Sequence, residues 1–156
     1  RALAEIQGYQ NSVQKISMLL SAKTDEIIPA VDKLKSDMAA LKYEMIALQK
    51  KAVSEKAARL PDGTVHICYV EDSMDADVQR EFVNLLTERA TGYCGVFTGS
   101  DEAGYRYIIG ASSLDTRELN QTLREQYQAK GGGKKEMVQG SLTITKEEIE
   151  RLFSSL

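Results

Sequence analysis

Apolar positions along residues 1–59 recur at alternating steps of three and four. The clearest run is Val31, Leu34, Met38, Leu41, Met45, Leu48 and Ala52. That is the a/d spacing of a helix that buries one narrow stripe against a partner helix. A weaker run, Leu3, Ile6, Gln10, Val13, Ile16 and Leu20, precedes it. The polar stretch Ser21-Ala22-Lys23-Thr24 separates the two. Short connections between helices give antiparallel neighbours, so residues 1–59 read as a helical hairpin. The segment holds one Gly and one Pro and is rich in Ala, Leu, Lys, Glu and Met, which is helix composition. Thr24 or Asp25 caps the second arm, and Pro29 sits near its start, where a missing N–H is best tolerated. An arm from about Thr24 to Arg59 would be roughly 50 Å long. It outruns the first arm and leaves apolar seam for another chain or for sequence preceding Arg1.

Leu60-Pro61-Asp62-Gly63 breaks this pattern. Beyond it the period changes. Thr64–Val70 reads as a strand, and Asp75–Ala90 as an amphipathic helix with Val78, Phe82, Val83, Leu85 and Leu86 as its apolar positions. Gly92–Thr98 and Tyr105–Ala111 read as a hairpin pair around Gly99–Gly104. Asp115–Ala129 is a further helix, with Leu119 and Leu123 inward. A loop at Gly131-Gly132-Gly133 follows, then an extended segment over Met137–Ile144. Thr145-Lys146-Glu147-Glu148 is a capping box that opens a last helix. The fold class is therefore α/β: an N-terminal antiparallel, coiled-coil-like hairpin over 1–59, and a small α/β domain with a mixed sheet over 60–156.

Charge separates the same two parts. Residues 1–59 carry 10 Lys and Arg against 7 Asp and Glu, and residues 60–156 carry 10 against 16, within a net charge of −3. Two exceptions to the acidic globe matter. Lys50, Lys51, Lys56 and Arg59 gather near the end of the long arm. Arg124, Lys130, Lys134 and Lys135 surround the glycines against only Glu125 and Glu136. Three consecutive glycines cost backbone entropy. They suit close approach of backbone N–H groups to a phosphate, with lysines supplying charge. A plain flexible turn stands beside that reading.

Catalytic chemistry is sparse. The chain has one histidine, His66, and two separated cysteines, Cys68 and Cys94, all within strand-like runs. No HExxH, CxxC or G-x-S-x-G occurs, and the glycines fail the Walker spacing. Glu71, Asp72, Asp75 and Asp77 cluster as acids do at a helix start. No apolar run is long enough to span a membrane, and the isolated cysteines fit a reducing cytoplasm.

The string Gly131-Gly132-Gly133-Lys134-Lys135-Glu136-Met137-Val138-Gln139-Gly140-Ser141-Leu142 resembles the glycine-rich signature of the DHH-associated C-terminal domain. That domain ends alanyl-tRNA synthetases and long-form alanyl-tRNA editing proteins, and follows DHH phosphoesterase domains. Ile16–Leu20, Glu26–Ile28, Val31, Lys33-Leu34 and Leu41-Lys42 look like the helical hairpin that precedes it. The resemblance implies a tRNA-binding and dimerisation module. RNA contact would fall on Lys130, Gly131, Gly132, Gly133, Lys134, Lys135, Gln139 and Arg124. Dimer contact would fall on Val31, Leu34, Met38, Leu41, Met45 and Leu48. The partners would be tRNA(Ala) and a second copy, in the cytoplasm. The family's editing zinc sits in HxxxH and CxxxH motifs. This sequence has neither, so the zinc and the catalysis are expected in a domain N-terminal to Arg1. Gln139-Gly140-Ser141 is nearer the free-standing editing proteins than the synthetases. Two alternatives stay open: a purely structural oligomerisation module, and the phosphate-binding part of a DHH phosphoesterase, where Lys134 replaces the usual histidine.

Overall fold

The computed structural model describes residues 1–61 and 63–156. Asp62, within the helix-breaking turn expected from the sequence, lies outside the described residues. The chain falls into two compact units, Arg1–Met45 and Ile46–Leu156.

The first unit holds α1 (Ala2–Leu20), a 3-10 turn (Thr24–Glu26) and most of the first two-thirds of α2 (Ile27–Ala58). Ser21 ends α1 by taking a left-handed conformation (φ 50°), which lets its N–H and that of Ala22 reach the last carbonyls. Ile6, Tyr9 and Val13 of α1 share a shallow concavity with Thr24 beyond the turn. No residue of α1 is buried. The α2 seam is also open, from Val31 at 37% exposure to Leu48 at 68%. The heptad pattern is present on real helices, and its apolar stripe faces solvent.

The second unit is a three-layer sandwich. Its strands are β1 (Ile67–Glu71), β2 (Tyr93–Ser100), β3 (Gly104–Ala111), β4 (Lys130–Gly133) and β5 (Met137–Leu142). They lie in the order β1-β2-β3-β5-β4, with β1 parallel to β2 and every other pair antiparallel. Alternation sends Tyr93, Phe97, Tyr105, Tyr107 and Ile109 to one face. There they pack on α4 (Thr116–Tyr127) and α5 (Lys146–Ser154) through Leu119, Leu123, Ile149 and Phe153. Cys94, Val96 and Ile108 point to the other face, under α3 (Ala76–Thr87) and the last turns of α2, through Val78, Phe82, Val53 and Ala57.

The end of α2 is thus part of the globular unit, whereas the composition break placed the division at residue 59. Val53 and Ala57 carry the reason: both are buried in this second core. The basic cluster expected there is partly neutralised. Lys50 pairs with Glu81 at 2.8 Å, and Lys56 pairs with Glu71. The cysteines are free. β1 and β2 are neighbours, but Cys68 is level with Gly95 and Cys94 with Ile67, so the two thiols enter opposite cores. Burial pushes both thiols up to about 12, which leaves them protonated and unreactive.

The cap expected at Thr24 or Asp25 does not form, because Thr24–Glu26 is a 3-10 turn with no side-chain cap and α2 starts at Ile27; the helices of the globular unit are capped. Asp75 accepts the Asp77 N–H, and Asp115 accepts the Arg117 N–H, each at 3.0 Å. Thr145 and Glu148 form the reciprocal capping box of α5.

Candidate nucleic-acid interface

The three glycines form a strand, not a loop. Lys130–Gly133 is β4, the outermost strand of the sheet, and it joins β5 through a tight turn. Lys134 and Met137 exchange backbone hydrogen bonds of 2.8 and 3.2 Å across that turn. A triplet with no side chains carries no period-two signal, so the pairing was invisible in the sequence.

The reason for glycine lies in a cross-strand row. Tyr107, Gly140 and Gly131 are level on β3, β5 and β4. The buried Tyr107 ring extends across the two glycines. A methyl group on Gly131 would fall 2.5 Å from the Tyr107 hydroxyl, and one on Gly140 2.6 Å from it. The hydroxyl donates to Asn120 Oδ1 at 2.7 Å, and Asn120 Nδ2 donates to the Gly131 carbonyl at 3.5 Å. Burial raises the phenol above its usual range, which keeps it a donor. Tyr107 and Asn120 therefore hold the strand down on the sheet. Neither was singled out from the sequence.

Lys134 and Lys135 sit on a pinned tip. Thr116 Oγ1 donates to both of their carbonyls at 3.0 Å, and the Thr116 N–H donates to Lys135 O at 2.9 Å. The backbone is fixed while both side chains stay exposed. In an antiparallel ladder, alternate residues turn their N–H groups away from the partner strand. The exchange at Lys134 and Met137 sets the phase, so the Gly131 and Gly133 amides point to the open edge.

Around this edge the expected residues are divided between two concavities. Arg124, Gly132 and Gly133 line one of about 750 Å³ on the α4 side, together with Arg117 and Gln121. Lys130, Gly131 and Gln139 line another of about 380 Å³ on the α3 side, with Arg106. Gln139 is already engaged, accepting from Arg80 at 2.7 Å. Arg117 is held by Asp115 through contacts of 2.9 and 2.6 Å. Arg106 was missed by sequence reading, although it is the one charged residue inside β3.

Asp115 couples this corner to pH. Its hydrogen bonds from the Arg117 side chain, helped by the Arg117 N–H and the charge of Lys135, pull its carboxyl down from 3.8 to about 2. A depressed carboxyl stabilises the fold above its unfolded value and loses that contribution as pH falls through the folded one. The thermal midpoint difference between wild type and Asp115→Asn is expected to be constant above pH 4 and to shrink as pH falls toward 2. A difference that does not change over that window would remove Asp115 from this role.

Among the described residues, no three His, Cys, Asp or Glu side chains converge to hold a metal ion. No described helix is long and apolar enough to cross a membrane.

No family model and no curated protein matches the sequence. Solved structures do match the fold. The C-Ala domain of alanyl-tRNA synthetase from Aquifex aeolicus aligns over 61% of this chain and 94% of its own, at 15% identity and a TM-score of 0.48. Exonuclease RecJ bound to manganese aligns over 89% of this chain at 13% identity and a TM-score of 0.55. The chain spans about a third of that RecJ chain, 33%. The chain shares a fold with part of that RecJ chain: a mixed α/β unit preceded by long helices.

Proposed function

We propose that this chain is the C-terminal tRNA-gripping module of an alanyl-tRNA editing-like or synthetase-like protein of the cytoplasm, and that RNA lies along the open edge of β4. One observation carries the reading. The glycine triplet of an edge strand, with the Gly131 and Gly133 amides turned outward, stands among Lys130, Lys134, Lys135, Arg106 and Arg124 in a domain that is otherwise acidic. Phosphates can approach such a backbone closely, and the cations supply sequence-independent attraction. The parent would hydrolyse mischarged tRNA(Ala) through a zinc site in another domain, a role that rests on the glycine signature. Lys134→Ala with Lys135→Ala is expected to weaken tRNA binding and to flatten its salt dependence by about two in log–log slope. Unchanged affinity at low and moderate salt would sink the assignment.

A second reading, dimerisation through the helical arms, has its own support. Val31, Leu34, Met38, Leu41, Met45 and Leu48 form an exposed apolar stripe with heptad spacing. A second copy would cover it as a coiled-coil partner. Met38→Glu with Leu41→Glu is expected to shift sedimentation from dimer to monomer. A wild-type chain that stays monomeric at high concentration would exclude this reading.

A further inference from the structure

The two faces of β5 meet different surroundings. Val138 and Leu142 are 1% and 4% exposed and belong to the core under α4 and α5. Gln139 and Ser141, which alternate with them, are exposed. Register carries the same division to the neighbouring strands. Arg106 and Lys130 are level with Ser141, and Ile108 and Gly132 are level with Gln139. Ile108 packs in the core under α3, so all of these residues turn to the α3 side of the sheet. There α3 buries β2 and β3 through Val78, Phe82 and Val83, while Gln139, Ser141, Lys130 and Gly132 stay uncovered. The uncovered ledge runs from β3 to β4, roughly 10 Å across two strand spacings.

The flanks of α3 differ in charge. Asp77 and Glu81 face Lys50, and Glu81 pairs with it. Arg80 turns instead to the ledge. Its Nη2 donates to Gln139 Oε1 at 2.7 Å, and its Nη1 lies 3.7 Å from Met137 Sδ. A guanidinium has N–H donors beyond these two contacts. Arg80 is exposed and, among the described residues, has no ion-pair partner. The buried Gln79 beside it fixes the helix against the strands, donating to Val96 O at 2.8 Å and Arg106 O at 3.4 Å. Arg80 and Arg106 are thus carried by elements that are tied together. No carboxylate lines the concavity of Arg106, Lys130 and Gln139 beside Arg80. Three like charges around one ledge repel one another, and an anion among them turns that repulsion into attraction. The ledge offers amide, hydroxyl and glycine backbone and no exposed aromatic ring, so it suits phosphate and sugar and gives bases nothing to stack on.

We propose that the RNA crosses the α3 side of β5 and β4, and that Arg80 is a further phosphate contact. The proposal rests on the β4 reading, to which Arg106 and Lys130 already belong and Arg80 does not.

The test is a salt titration of tRNA(Ala) against wild type, Arg80→Gln, Arg80→Lys, Gln139→Ala and the double variant Lys134→Ala, Lys135→Ala. Arg80→Gln is expected to weaken binding roughly fivefold at low salt and to lower the log–log slope by about one, and Arg80→Lys to keep the slope. Gln139→Ala removes the hydrogen bond that holds Arg80 but leaves its charge, and is expected to keep the slope as well. A slope lost in the double lysine variant and unchanged in Arg80→Gln would overturn the α3-side path and leave the β4 reading standing. A loss in Gln139→Ala equal to that in Arg80→Gln would make Arg80 a strut for β5 and overturn its phosphate contact. Absence of tRNA binding by the wild type overturns both readings. Should Arg80→Gln unfold, Arg80→Lys and Gln139→Ala decide, and a slope lowered in Arg80→Lys, where the charge is kept, would reject the contact.

Discussion

Gly140→Val is expected to lower the stability of the globular unit by about 3 kcal/mol, the upper part of the range for overpacked sites. Gly140 lies between Gly131 and Tyr107 in the sheet. Its added side chain would meet the Tyr107 hydroxyl and the Gly131 Cα, at 2.6 and 2.7 Å from the first carbon. Neither neighbour can give. The hydroxyl is fixed by Asn120, and Gly131 belongs to a paired strand. The strand must lift from β5, and RNA affinity is expected to fall with it. A urea midpoint that drops with an unchanged slope would show the loss. Gly132→Ala is the control, because nothing lies within 4 Å of a methyl there. Equal costs for both substitutions would mean that close approach is not why these positions are glycine.

Removing the four cations Arg124, Lys130, Lys134 and Lys135 together, each to Gln, is expected to weaken tRNA binding at low salt by roughly two orders of magnitude. The log–log salt slope should fall by about three to four. All four side chains are exposed, so the fold should be retained. The unit would become more acidic by four charges, which adds long-range repulsion to the lost contacts. Lys50, Lys51, Lys56 and Arg59, changed in the same way, should matter less, since Lys50 and Lys56 are already paired with Glu81 and Glu71. Equal losses from the two sets would mean that binding follows net charge and not the β4 edge.

Much of this architecture was legible in the chain because the relevant signals are local. Thr145 and Glu148 are three residues apart, and their capping box could be read directly. Asp75 and Asp115 announced two more helix starts. The hairpin of β2 and β3 followed from alternation on either side of Gly99 and Gly104. What escaped depends on residues distant in sequence. The strand character of Lys130–Gly133 comes from Tyr107 and Asn120, which no local pattern connects to the glycines. Arg106 joins Lys130 only through Ser141 of the intervening strand. The division at Met45 reflects burial of Val53 and Ala57 against α3, while their own helix continues unbroken. The glycine triplet reads as a loop in sequence and is a paired strand in the fold.

A salt titration of this chain against tRNA(Ala) and an unrelated RNA duplex decides whether the β4 edge grips tRNA. The expected result is tighter binding of the tRNA, falling steeply with salt and losing slope in the Lys134→Ala, Lys135→Ala variant. No binding of either RNA at low salt would contradict the β4 interface and leave the exposed helical seam as the working surface of the molecule.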